Sequence, residues 1–258
     1  MKLLLVNDDG YAAMGIKSLM QVFPKGDIFL VAPSREQSAK GHSFTLHDPL
    51  YLKLFDNNSY HLTGTPADCT YFGLNYICPD VDVVVSGINM GANLGTDIYY
   101  SGTVAAAREG FFKGKFSVAI SVLEDVQYSS EAERMSVYER AARLSQQIIT
   151  SLFERSQGPE LWNINFPASA MLKEETPKIV VKPLGHREYK SGVHEKKDPR
   201  GRTYFWIGGP PLPMPKSDTD AYWCEQGAVV LTPLQMDCTD QTTLLRAEKW
   251  TFNLSNKS

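Results

Sequence analysis

Asp8 and Asp9 stand side by side in Asn7-Asp8-Asp9-Gly10, directly behind the apolar run 2–6 (KLLLV). Two neighbouring carboxylates repel each other, and a cation relieves the repulsion. Hard oxygen donors of this kind suit Mg²⁺, Mn²⁺ or Ca²⁺. The same four residues also make an ordinary Asp-Gly turn, with the other carboxylate capping the helix that follows. Taken alone, the segment admits both readings.

Three further polar segments follow strands or open helices. Ser86-Gly87-Ile88-Asn89-Met90-Gly91-Ala92-Asn93-Leu94-Gly95 places glycines where backbone can approach a ligand, and Asn89 and Asn93 add neutral oxygen and N–H groups. Its GxxxGxxxG spacing is not the dinucleotide fingerprint. Tyr100-Ser101-Gly102-Thr103 leads into a helical run; the hydroxyls are good N-caps, and a helix N-terminus also receives phosphate. Arg35-Glu36-Gln37-Ser38-Ala39 follows the second apolar run and offers the Ser38 hydroxyl.

The elements that position these segments are read from periodicity. Runs at 2–6, 27–32, 82–86 and 117–122 are short, β-branched and almost continuously apolar, which suits strands covered on both faces. Helical stretches fall near 13–23, 66–76, 103–113 and 131–154, and 161–165 (LWNIN) adds a strand. This alternation predicts an α/β fold: a Rossmann-like, doubly wound, mainly parallel sheet with right-handed crossovers. Segment 42–63 reads as two or three short strands inserted into it. Beyond about 178 the pattern loosens into a mixed-charge stretch (186–202), a strand at 203–207, a Gly/Pro connector (208–215), a helix near 218–225 and a strand at 228–231. We divide the chain into a core, 1–185, and a C-terminal extension, 186–258. In such a sheet, ligands bind beyond the carboxyl ends of the strands at the point where strand order reverses. If 2–6 and 82–86 flank that point, all four polar segments face one crevice.

Composition narrows the partners. The 258 residues carry 26 Lys plus Arg against 29 Asp plus Glu, a net charge of −3, which gives no reason to expect a nucleic-acid polymer or a membrane as partner. Cys69, Cys78, Cys224 and Cys238 form no CxxC pair and read as unpaired thiols of a reducing compartment. The apolar run before Asn7 is too short for a signal-peptide core, so the expected location is the cytoplasm. None of His42, His47, His61, His186 and His194 sits at paired metal spacing; His42 is nearest a site loop and is the one histidine offered as a substrate contact. Tyr222 and Trp223 either cover a base or pack in the core or at an interface.

Read together, NDDG with Gly15-Ile16, REQS, GTPADC (64–69), SGINMGANLG and YSGTVAAAREG resemble the SurE family of nucleotidases from residue 1 to about 122. Thr219-Asp220 and Thr232-Pro233-Leu234 extend the likeness into the tail. The resemblance implies a 5′-nucleotidase that hydrolyses nucleoside 5′-monophosphates to nucleoside and phosphate, with 3′-monophosphates and short polyphosphate as further substrates. It implies one divalent cation per subunit, Mg²⁺ or Mn²⁺, held by Asp8, Asp9, Ser38 and Asn89. Asp8, Asp9 and Asn89 are thereby the catalytic set, and Asn93, Ser101, Gly102 and Thr103 the phosphate contacts. It also implies a homodimer or homotetramer that exchanges the segment 186–258. Two positions depart from the family pattern: Met14, where many relatives have Pro, and Ala39, where Gly follows the loop serine. The second puts the Ser38–metal geometry in question. Water is the expected nucleophile, because both carboxylates are occupied; direct attack by an aspartate is the alternative. A nucleotide-sugar glycosyltransferase and a non-catalytic nucleotide sensor are the rival classes.

Overall fold

The computed structural model describes residues 1–190, 192–212 and 217–250. In order the elements are β1 (Leu3–Val6), α1 (Met14–Val22), β2 (Ile28–Pro33), β3 (Leu52–Asp56), β4 (Ser59–Leu62), α2 (Pro66–Phe72), β5 (Val83–Met90), α3 (Gly102–Phe112) and β6 (Phe116–Leu123). Then come α4 (Glu131–Arg155), β7 (Leu161–Pro167), α5 (Ala168–Met171), β8 (Ile179–Val181), β9 (Val193–Lys197), β10 (Thr203–Ile207), α6 (Asp220–Glu225), β11 (Val229–Pro233) and α7 (Gln241–Ala247).

Nine strands form one sheet in the order β3-β4-β2-β1-β5-β6-β7-β11-β8. From β4 to β7 every pairing is parallel; β3 and β11 run antiparallel to β4 and β7. The chain winds outward from β1 through β2 to β4, then crosses back to β5 on the other side of β1. The order therefore reverses between β1 and β5, which meets the condition on which the convergence of the polar segments depended. Alternation along β1 builds the layers. Leu3 and Leu5 pack with Ile16, Leu19, Tyr138 and Ala141 under α1 and α4, while Leu4 and Val6 pack with Cys69, Leu74 and Ala106 under α2 and α3. Each of these four β1 side chains is fully buried, a contribution of roughly 1.5–3 kcal/mol apiece.

Helix boundaries follow from local chemistry. Thr65 and Asp68 form a reciprocal capping box at the start of α2, with Pro66 at the first helical position. Ser130 caps α4, Glu131 and Glu133 occupy its first turn and Arg155 its last, each charge matched to the helix dipole. The stretch expected as one helix over 66–76 ends as α-helix at Phe72 and closes as a π turn, Gly73–Ile77.

The inserted segment matches the lower of the two counts expected for it. It holds two strands, β3 and β4, and β4 joins β2 and so extends the main sheet. The tail differs more. β10 pairs with β9 in a separate antiparallel hairpin, Thr203 opposite Lys197, and every residue of both strands is exposed. α6 and β11 return to the main sheet, where β8 adds a last strand. Part of the connector expected over 208–215 lies outside the described residues. Among those described, no helix is long and apolar enough to cross a membrane.

Candidate active site

Beyond β1 the chain turns at once. Asn7 donates from Nδ2 to the Gly10 carbonyl at 2.8 Å, which closes the turn and presents Asp8 and Asp9 at the sheet edge. Asp8 is 4% exposed, and its Oδ1 accepts from Thr103 Oγ1 at 2.5 Å. Asp9 is half-buried, and its Oδ2 accepts from the Met90 N–H at 3.2 Å. One carboxylate is thus tied to α3 and the other to the end of β5. Behind the turn, α1 packs so closely that a Cβ at Gly15 would lie 1.9 Å from the Ile88 carbonyl oxygen. That position requires glycine.

β5 runs through the glycine rather than ending at Ser86. After a register shift, Asn89 and Met90 pair with Ser121 and Val122 of β6. Asn89 donates from Nδ2 to the Gly91 carbonyl at 2.6 Å. Asn93 is buried and held on every side: its N–H donates to Asn165 Oδ1 at 2.9 Å and its Nδ2 to Ser121 Oγ at 2.8 Å. Its carbonyl accepts from Asn163 Nδ2 and Asn165 Nδ2 at 2.8 and 3.1 Å. Sequence reading missed this network, although the asparagines at 163 and 165 recur at period two in an otherwise apolar strand, a signal for one polar face.

Ser101 caps α3 by accepting from the Val104 N–H at 3.0 Å, so the capping role holds. Gly102 brings the helix terminus against Asp8: a Cβ there would lie 3.0 Å from both Asp8 Cβ and Oδ2. Thr103 is fully buried with its hydroxyl on Asp8. What it offers a phosphate is the N–H of a first helical turn, where the helix itself supplies no acceptor. Ser38 is exposed, donates to Glu36 Oε1 at 2.8 Å, and is followed by Ala39 at φ 58°. An alanine thus occupies a left-handed conformation that glycine adopts without penalty.

Asp8, Ser38, Asn89, Asn93 and Ser101 line one cleft of about 650 Å³. Asp9 and Thr103 stand behind that lining, bonded to it. Tyr189, Lys190 and Ile207, at the root of the β9–β10 hairpin, line it as well, so the tail contributes residues that sequence reading left out. The root is pinned by Arg187 Nη1 and Tyr189 Oη, which donate to the two Asp97 oxygens at 2.7 and 2.8 Å. Asp220 joins the tail to the glycine loop, accepting from the Gly95, Gly185 and Ala221 N–H groups at 2.7–2.8 Å.

The couplet is a pair of like charges, and Arg134, salt-bridged to Glu124, pulls Asp9 down less than burial and Asp8 push it up. Burial pushes the Asp8 carboxyl above the usual range, against the pull of the Thr103 hydroxyl. Burial, and then the Asp8 charge, push Asp9 up to about 7. Glu36 adds to both, another carboxylate that the sequence did not single out. Among the described residues neither aspartate forms an ion pair with Lys, Arg or His, and no cluster of three or more His, Cys, Asp or Glu is placed to hold a metal. The carboxylates, the Ser38 hydroxyl and the Asn89 amide oxygen are all hard oxygen donors, the kind a divalent cation takes.

His42 is not in this cleft. It pairs with Glu109 and lines a separate cavity of about 830 Å³ with Arg108, Phe112 and Cys238. That cavity is the larger but contains no carboxylate. Trp223 donates to Asp218, lies under Lys178 and Lys182, and packs against the cluster of Leu94, Ala221 and Val230. All four cysteines are free, three of them buried.

The acidic couplet lies at the switch point of a Rossmann-ordered sheet, against a helix N-terminus, where an α/β fold binds its ligands. A family model described as Survival protein SurE matches residues 3–191. The chain is 41% identical over 254 residues to a 5′-nucleotidase SurE of Haemophilus influenzae (strain 86-028NP), covering 97% of each. It is 40% identical over 258 residues to one of Anaeromyxobacter dehalogenans (strain 2CP-C), covering 97% of this chain and 96% of the other. The crystal structure of SurE protein from Aquifex aeolicus superposes with a TM-score of 0.80 at 35% identity, covering 96% of this chain and 98% of that one. The chain belongs to the SurE family.

Proposed function

We propose that this chain is a 5′-nucleotidase, a phosphoric monoester hydrolase that releases phosphate from nucleoside 5′-monophosphates. One observation carries the reading: Asp8, with Asp9 beside it and neither in an ion pair among the described residues, lies against the N-terminus of α3 in a cleft of nucleotide size. Relatives named 5′-nucleotidase SurE match nearly the whole chain. Nucleoside 3′-monophosphates and short polyphosphate are further substrates in this proposal.

Asp8, Asp9, Ser38 and Asn89 would hold one Mg²⁺ or Mn²⁺ per subunit. A bound divalent cation supplies a Lewis acid that withdraws charge from the phosphoryl group. The chain's own residues do the rest. The N–H groups of Gly102 and Thr103, with the helix dipole, receive the phosphate oxygens, and Ser101 and Asn93 flank them. Thr103 fixes the Asp8 carboxylate, and the Met90 N–H fixes Asp9. Because both carboxylates are engaged in this way, water is the nucleophile we favour. It attacks phosphorus while the bond to the ribose oxygen breaks, and the proton the water gives up goes to that departing oxygen, so nucleoside and phosphate leave.

Residues 1–185 form the catalytic core in this proposal, and the extension 186–258 joins subunits into a homodimer or homotetramer by exchange. Support comes from the β9–β10 hairpin, which projects from the main sheet with Phe205, Trp206 and Ile207 exposed. The free thiols fit a cytoplasmic enzyme. The test is phosphate release from a panel of 5′- and 3′-nucleotides and tripolyphosphate with Mg²⁺, Mn²⁺ or chelator. We expect turnover of 5′-monophosphates that chelator abolishes. Saturable nucleotide binding without turnover in any metal would replace the enzyme with a sensor.

A further inference from the structure

The loop that carries Ser38 is long, and Ser38 itself is exposed. A weak neutral donor on a mobile loop would contribute little to a cation site, because ordering the loop costs conformational entropy at the moment of binding. The structure holds this loop at two points on either side of the serine. Upstream, the Gln37 N–H donates to the Asp8 carbonyl at 2.8 Å. Downstream, the Gly41 N–H donates to the Tyr100 carbonyl at 3.0 Å, and His42 Nε2 meets Glu109 Oε2 at 3.2 Å. Only residues 38–40 span the gap.

The His42–Glu109 contact differs from the others in kind. Glu109 is 6% exposed and lies about two turns into α3, the helix whose first turn faces the cleft. Among the described residues His42 is its only ion-pair partner. The His42 ring is stacked on Phe112 at 5.8 Å with an interplanar angle of 11°, and Phe44 covers it at 5.9 Å. The loop beyond it is secured independently, by Thr45 on Asp68 and by Thr65 on the Ser43 carbonyl. Cutting the His42 contact leaves the Gly41–Tyr100 hydrogen bond as the last downstream anchor before Ser43, and so loosens the stretch around Ser38 without undocking the segment.

We propose that His42, through Glu109, is the positioning residue that holds Ser38 at the cation site, so that α3 sets both the phosphate-binding turn and the serine. This rests on the reading of Ser38 as a metal donor given above. Removing a group that orients a metal donor lowers metal affinity about 10- to 100-fold. His42 touches neither cation nor substrate, and its effect passes entirely through Ser38.

The test is Mn²⁺ binding to the full chain by isothermal titration calorimetry, in wild type, His42→Ala, Glu109→Ala, His42→Gln, Ser38→Ala, Asp8→Asn and the double variant His42→Ala/Ser38→Ala. We expect His42→Ala and Glu109→Ala each to weaken Mn²⁺ binding about 10-fold or more. His42→Gln, which keeps a donor for Glu109, restores most of the loss. In the Ser38→Ala background, His42→Ala adds no further loss. A merely structural role would weaken both backgrounds alike, and that result overturns the proposal. Wild-type Mn²⁺ affinity in both His42→Ala and Glu109→Ala overturns it as well. If Asp8→Asn loses Mn²⁺ and Ser38→Ala does not, the aspartate site stands and the His42 role falls. If neither variant weakens binding, the cation site itself is misassigned. With AMP as substrate, kcat in His42→Ala falls at low Mn²⁺ and recovers at saturating Mn²⁺, while KM for AMP stays unchanged.

Discussion

Asp9 makes the metal-free protein less stable as pH rises, and Asp9→Asn should remove that penalty. The folded carboxyl titrates near 7 against an ordinary 3.8. Between those values the folded state binds a proton that the unfolded chain has released. The stabilisation is therefore complete below about 4 and is lost as pH rises through 7. Three pH units at about 1.4 kcal/mol each give on the order of 4 kcal/mol. Asp9→Asn is neutral at all pH values and retains an oxygen for the Met90 N–H. In chelator, urea unfolding should show the variant more stable than wild type at pH 8 by up to that amount, with the two converging near pH 4. Adding Mn²⁺ should stabilise the wild type at pH 8 and leave the variant unchanged. A chelated wild type whose unfolding midpoint is flat from pH 5 to 8, or a variant weaker than wild type at pH 8, refutes the reasoning. The couplet would then not be a charge pair awaiting a cation.

Further outcomes follow from single contacts. Thr103→Val deletes the donor to the buried Asp8 oxygen; it should cost about 1–3 kcal/mol in urea unfolding and lower kcat more than it raises KM. Gly15→Ala, ordinarily favourable inside a helix by roughly 1 kcal/mol, should instead destabilise and abolish turnover, because the new methyl meets the Ile88 carbonyl at 1.9 Å; a wild-type melting temperature would contradict this. Asp220→Ala strips the acceptor from three backbone N–H groups and should cost about 3 kcal/mol or more, with faster proteolysis of the tail read by mass spectrometry.

Much of this was legible in the residues. The continuous apolar runs marked β1, β2, β5 and β6 because a parallel strand is buried on both faces, so its periodicity vanishes in a diagnostic way. The switch point was only a condition in the sequence; the order β2-β1-β5 meets it and brings Asp8, Asn89 and Ser101 to one cleft. What stayed hidden was hidden for physical reasons. β9 (VHEKK) is exposed on both faces and carries no pattern to read, and β8 is only three residues long. Tyr189 and Lys190 reach the cleft from nearly a hundred residues beyond Asn93, a placement set by the Arg187–Asp97 and Asp220 contacts rather than by any local signal. Ala39 departs from the family's glycine and puts the Ser38–metal geometry in question. The structure gives it a left-handed backbone, so the departure from glycine falls where glycine is most useful.

The central claim is that Asp8 and Asp9 clasp a divalent cation beside the N-terminus of α3. Anomalous diffraction at the manganese edge, from a crystal grown with Mn²⁺, tests it directly. The account predicts one peak per subunit within about 2.0–2.6 Å of Asp8 and Asp9 oxygens, with Ser38 and Asn89 turned toward it. A peak elsewhere, or a cleft that stays empty at millimolar Mn²⁺, contradicts the account.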